Sequence, residues 1–217
     1  MKKCIILANG KTPRKRVVHF LQNEGYVTVI CADGGANHAY ILGLVPDYII
    51  GDLDSVYDST LVSFKKKTQI IKIKRQNDTD VEKCLKFALK KEYDDIILLG
   101  VIGGRLDHTI CNLGIVLKFF PKVRLKVIAE DSFLMPYTGD VEINTQKGET
   151  ISLYAFDTKT KILSNGLKYP LKNVSLPFGE KESTSNVTVS NRVKLKISGG
   201  IIFVIRDFRI AKKNDFF

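Results

Sequence analysis

At 217 residues the chain is long enough for one large domain or two modest ones, each with its own core. A composition that is 44% hydrophobic and 26% charged, with no apolar run of about 18 residues, excludes a helical membrane span and reads as soluble. The net charge of +11 raises nucleic acid as a partner. The basic residues are nevertheless scattered in short groups, without aromatic interleaving or a recognisable RNA- or DNA-reading signature, so solvated surface and a field that attracts small anions are expected, and neither nucleic acid nor membrane.

The first apolar run, 4–8, reaches the polar Asn9-Gly10-Lys11 too soon for a signal-peptide core and reads as a buried strand. Further short apolar runs follow at 27–32, 48–51, 69–73, 96–101 and 124–129. Between them, 14–23, 36–42, 60–67, 81–91 and 108–120 carry apolar residues at three- and four-residue spacing, the period of amphipathic helices. This alternation implies an α/β fold with a mostly parallel sheet and helices on both faces. Cys4, Cys31, Cys84 and Cys111 are isolated within these apolar segments and lack the close pairing of zinc sites. Buried reduced thiols in a cytoplasmic protein are expected.

Beyond about residue 140 the texture changes. Segments 149–156, 161–163, 187–189, 193–197 and 200–206 are β-rich, are separated by Gly, Asn, Ser and Pro turns, and show no useful helical period. A smaller all-β sandwich over 141–217 is expected to follow an α/β nucleotide-binding domain over 1–140, with the change near 135–145.

Four acidic or glycine-rich clusters fall at the ends of successive predicted strands: Asp33-Gly34-Gly35-Ala36-Asn37, Gly51-Asp52-Leu53-Asp54-Ser55, Gln76-Asn77-Asp78-Thr79-Asp80, and Gly103-Gly104-Arg105-Leu106-Asp107-His108. In an open α/β sheet those ends border one crevice, where carboxylates distant in sequence meet. Asp52 and Asp54, two apart on an extended segment, would face the same way and reach one cation, and magnesium takes such hard oxygen ligands beside a phosphate chain. A turn or capping pair is the plainer reading of any single Asp-x-Asp. Asp78 fits an N-cap, Asp80 a further metal ligand, and Gln76 a hydrogen bond to a ligand. Gly34 and Gly35 allow close backbone approach at a helix start, and Gly103 and Gly104 clear space for Arg105 to fork onto phosphate oxygens. Asp107 either orients Arg105 or touches the ligand. His108 reads as helix-start packing, and His19 and His38 have no partners at ligand spacing.

Taken together, the cluster from Ala32 to Asn37, Pro46-Asp47 with Gly51-Asp52-Leu53-Asp54-Ser55, Gln76 with Thr79-Asp80, and Gly104-Arg105-Leu106-Asp107-His108 with Asn112 strongly resemble the thiamine pyrophosphokinase family. Gly166-Leu167-Lys168-Tyr169 and Ser183-Thr184-Ser185-Asn186 resemble its C-terminal signatures, so the likeness runs over nearly the whole chain. Asn77 departs from it where members often carry an aspartate, and Tyr169 stands where some have tryptophan.

The resemblance implies a catalytic α/β domain, a C-terminal β-sandwich, and a homodimer with sites at the subunit interface. It implies transfer of a pyrophosphoryl group from ATP to the thiamine hydroxyl, with thiamine diphosphate and AMP as products, and by analogy with other phosphoryl transfers Mg2+ is the expected cofactor. On that reading Asp52, Asp54 and Asp80 are the metal-side candidates, and Arg105 and Asp107 join them as catalytic candidates. Asp33, Gly34, Gly35, Asn37, Gly104 and Arg105 border the nucleotide, while Gln76, Asp80, Tyr169, Ser185 and Asn186 border thiamine; whether Asp33 and Asp107 serve the nucleotide or thiamine is left open. A metal-dependent nucleotide phosphohydrolase uses similar carboxylates to activate water, and an inactive thiamine- or nucleotide-binding regulator would retain the same fold.

Overall fold

The structure is a computed structural model and describes residues 1–12, 14–75 and 77–214. The chain divides into two compact units, Met1–Glu130 and Asp131–Phe217, so the division falls upstream of the 135–145 region where the sequence texture changes.

In the first unit, β1 (Lys3–Leu7), β2 (Thr28–Ala32), β3 (Tyr48–Gly51), β4 (Gln69–Lys72), β5 (Asp95–Leu99) and β6 (Arg124–Ala129) alternate with α1 (Lys15–Asn23), α2 (Gly35–Leu42), α3 (Asp58–Phe64), α4 (Asp80–Lys90) and α5 (Leu106–Phe119). The strands pair in parallel in the order β6-β5-β1-β2-β3-β4. All five residues of β5 and four of five in β1 are buried, the mark of a parallel sheet covered on both faces. Helix α4 turns Val81, Cys84, Leu85 and Ala88 inward at helical spacing. The order reverses between β1 and β5, which makes the crevice beyond their carboxyl ends the topological switch point.

The second unit is antiparallel. It contains β7 (Ser132–Asn144), β8 (Thr150–Tyr154), β9 (Lys161–Asn165), β10 (Lys172–Val174), β11 (Ser183–Val187), β12 (Arg192–Asp207) and the short α6 (Phe208–Asn214). Strand β12 pairs with β7 along both halves, and its register shifts between Ile197 and Ile202. The first half also pairs with β9 and the second with β8, to which β10 and β11 add. Strand β12 thus joins β7, β8 and β9 around a core that includes Ile143, Ile151, Leu153, Ile162, Leu195 and Val204. The segments read separately at 193–197 and 200–206 are this one strand.

All four cysteines are free, but Cys111 is exposed whereas Cys4, Cys31 and Cys84 are buried as expected. The apolar neighbours of Cys111 misled because they lie on the outward side of α5, where Ile110 is also exposed. No helix among the described residues is long and apolar enough to cross a membrane.

Candidate active site

Beyond the carboxyl end of β2 the backbone turns sharply at Asp33, which takes a left-handed φ of 44°. A side chain at Gly35, the first residue of α2, would collide with the Leu7 carbonyl, so the second glycine of the cluster lets the helix start sit against β1. The turn brings the Asp33 carboxylate inside. Its Oδ2 accepts from the Ser55 backbone N–H at 3.2 Å, while its buried Oδ1 has no hydrogen-bond partner among the described residues. Burial, then the Asp80 charge, pushes the Asp33 carboxyl above its ordinary range, against hydrogen bonds from Ser55 and Gly34 that lower it.

The segment after β3 is not extended. Leu53 has a left-handed φ of 68°, and Asp52 Oδ1 accepts from the Asp54 N–H at 3.3 Å, a side-chain-to-backbone turn. Asp52 and Asp54 therefore do not share a face in the manner of a strand. Asp54 is exposed and accepts from the Ser55 hydroxyl at 2.9 Å. Asp52 instead lies with Asp33 and Asp80, each offering a carboxylate oxygen within 4.8 Å of the others.

Asp80 enters this group as the first residue of α4. The cap expected of Asp78 is made by Thr79, whose hydroxyl accepts from the Glu82 N–H at 3.2 Å. Asp78 is held instead by Arg75 and Lys86. Strand ends β2 and β3 and the start of α4 thus supply the three carboxylates. Asp33, whose side was left open between nucleotide and thiamine, lies among the acids, its carboxylate gathered with those of Asp52 and Asp80.

Asn37 is buried, donates from Nδ2 to the Ser55 carbonyl at 2.8 Å, and accepts at Oδ1 from the Tyr57 N–H at 3.1 Å. Its amide ties the loop after β3 to α2. Gly34 caps α2. Gln76 lies outside the described residues.

The loop after β1 continues the sheet pairing beyond the strands. Gly10 donates to the Gly100 carbonyl at 2.7 Å and Lys11 to the Ile102 carbonyl at 3.1 Å. This seam of Asn9-Gly10-Lys11 against 100–103 borders the switch point and carried no sequence signal beyond its polarity. Gly104 follows, also at positive φ and with open space around it. Arg105 precedes α5, is exposed, and forks onto Asp107 through Nε–Oδ1 at 3.1 Å and Nη2–Oδ2 at 2.6 Å. This pairing holds the Asp107 carboxyl down to about 2. Asn112 is buried and donates to the Val101 carbonyl at 2.8 Å, fastening α5 to the same loop.

In the second unit Tyr169 is exposed with the Lys168 ammonium 5.6 Å from its ring centroid. Ser185 is exposed at a left-handed φ of 56°, a conformation uncommon outside glycine. Asn186 is 2% exposed and its amide is fully engaged. Oδ1 accepts from the Tyr169 and Val187 N–H groups, and Nδ2 donates to the Tyr169 carbonyl and Ser183 Oγ. Asn186 accordingly holds the Tyr169 backbone instead of presenting a free amide to a ligand.

Two family models match the chain: the thiamin pyrophosphokinase catalytic domain over residues 19–129 and the thiamin pyrophosphokinase vitamin B1 binding domain over 137–202. Thiamin pyrophosphokinase 1 of Caenorhabditis elegans is 31% identical over 173 residues, covering 74% of this chain and 70% of that protein. Thiamine pyrophosphokinase of Bacillus subtilis is 26% identical over 76% of this chain and 79% of its own length. A crystal structure of thiamine pyrophosphokinase from Bacillus subtilis superposes with a TM-score of 0.81 at 24% identity, covering 95% of this chain and 99% of that one, and so shares the fold. The chain belongs to the thiamin pyrophosphokinase family of transferases.

Proposed function

We propose that this chain transfers the pyrophosphoryl group of ATP to the hydroxyl of thiamine, yielding thiamine diphosphate and AMP. The observation that carries the reading is the Asp33–Asp52–Asp80 group in the family's catalytic domain, with a buried Asp33 oxygen that has no hydrogen-bond partner among the described residues. A buried carboxylate oxygen without a donor is costly, and three oxygen donors facing one another suit a hard divalent ion such as Mg2+. The residues present therefore fit the metal that the family implies. Asp33, Asp52 and Asp80 would hold it, and Asp54 joins them only through a turn of its exposed side chain away from Ser55. When bound, Mg2+ neutralises phosphate charge and supports an in-line displacement.

The remaining work falls to protein groups. Arg105 forks onto phosphate oxygens, released from or shared with Asp107, and the seam between Gly10 and the loop after β5 presents backbone beside the polyphosphate. Thr79 and Asn37 hold the two segments that carry the carboxylates, so geometry is set before substrate arrives. Tyr169 offers an aromatic face and Ser185 a hydroxyl to thiamine, with Asn186 fixing the Tyr169 segment. A cytoplasmic homodimer completes the reading.

The test is ATP turnover by the full chain with each component omitted in turn. The reading requires AMP to form only when ATP, thiamine and Mg2+ are all present. AMP or phosphate released at the same rate without thiamine would assign the chain to hydrolysis.

A further inference from the structure

Lysine is rarely buried unless its ammonium is paired, yet the Lys83 side chain is 3% exposed. It lies one turn into α4, and its Nζ donates to Asp80 Oδ1 at 2.8 Å, while the Asp80 side chain is 31% exposed. The pair thus links a dry helix face to the carboxylate group. Nearby Lys86 and Lys118 are committed to Glu82 and Asp78. An apolar side chain at this buried position would avoid the desolvation that an ammonium incurs, so packing alone does not explain a cation here.

We propose that Lys83 is a positioning residue that fixes Asp80 by one carboxylate oxygen and places a cationic side chain beside the Asp33–Asp52–Asp80 group. Three carboxylates within 4.8 Å of one another repel. A fixed cation at Asp80 lets them remain gathered before a divalent ion arrives. The same charge opposes the incoming dication, so Lys83 weakens metal affinity while improving the geometry in which the metal is held. The proposal rests on reading those carboxylates as a divalent-cation site.

The opposed effects give the test. Mn2+ alone, followed by electron paramagnetic resonance, reads cation affinity in the nucleotide-free protein, and turnover with Mg2+, ATP and thiamine is measured beside it. Lys83→Met removes donor and charge. It should bind Mn2+ roughly tenfold more tightly, the scale of a unit charge acting on a dication over several ångströms in a water-exposed cleft, while kcat falls at least roughly tenfold from loss of positioning. Lys83→Gln keeps a donor without the charge, so it should show the tighter Mn2+ binding with turnover nearer that of the parent. Mn2+ affinity unchanged or weakened in the folded variants would overturn the proposal. Thermal melts establish folding, and if Lys83→Met does not fold the glutamine variant decides. If neither folds, Lys83 is scaffold and the proposal falls. Failure of the unsubstituted protein to bind Mn2+ saturably would remove the cation-site reading itself, and this inference with it.

Discussion

A Cβ at Gly51 would lie 2.8 Å from the Cβ of Asp33, so the last residue of β3 and the buried carboxylate after β2 are fitted to each other. Gly51→Ala should displace Asp33 from the carboxylate group. The overpacking is expected to cost about 1–3 kcal/mol, with turnover reduced at least roughly tenfold by misplacement. Thermal melts and kcat measured on the same preparation check both parts. Parent-like turnover would show that the position of Asp33 is immaterial.

Asp52→Asn and Asp80→Asn should each lower kcat roughly 10²-fold or more, from the several kcal/mol that a metal site contributes. Asp54→Asn addresses the loop. Its carboxylate lies against Ser55 outside the gathered group, and a loss of the same order would show that the side chain turns inward when ligands bind. Near-normal turnover at saturating Mg2+ would remove Asp54 from the mechanism.

Arg105→Lys retains charge but loses the planar fork. It should impair use of ATP while leaving thiamine affinity close to normal, read as separate KM values for the two substrates. The same pair has a pH signature. Asp107 is held at about 2 against an ordinary value of 3.8, so its attraction to Arg105 is present above about pH 4 and is lost as pH falls toward 2. A carbon-detected NMR titration should place the midpoint there, and Arg105→Ala should return it to the ordinary range. A midpoint near 4 in the unsubstituted protein would contradict the pairing.

Asn186 and Tyr169 should separate by phenotype. Asn186→Ala removes the partners of the Tyr169 backbone and of buried neighbours, and should destabilise the protein by about 2–4 kcal/mol. Tyr169→Ala, at an exposed ring, should leave the melt unchanged and raise the thiamine KM severalfold. Ser185→Ala should follow Tyr169→Ala, with a loss on the order of one hydrogen bond. Equal destabilisation by all three would deny Tyr169 and Ser185 a ligand-facing role.

The parallel sheet was legible because β1, β2, β3 and β5 are mostly continuous apolar runs between helical patterns, even though Lys126 interrupts β6 and Gln69 and Lys72 end β4. Strand β7 was not, since Pro136 and Gly139 inside it read as breakers, and α6 is too short to show a period, with only Phe208 and Ala211 buried. The acidic clusters pointed to the carboxylates that gather as Asp33, Asp52 and Asp80, because those aspartates sit after strand ends and at the start of α4. Local pattern did not reveal the left-handed turn at Leu53, which a non-glycine residue seldom makes and which separates Asp52 from Asp54. Nor did it reveal the inward amides of Asn37 and Asn186, because the Ser55, Tyr57 and Tyr169 backbone groups that they engage lie 17 to 20 residues away in sequence.

Phosphorus NMR of the full chain mixed with ATP, thiamine and Mg2+ follows every phosphate at once and tests the transfer most directly. The account predicts that AMP and thiamine diphosphate appear in a one-to-one ratio as ATP disappears, with no signal change when thiamine is withheld. Formation of ADP with thiamine monophosphate, or of AMP with free pyrophosphate in the absence of thiamine, would contradict it.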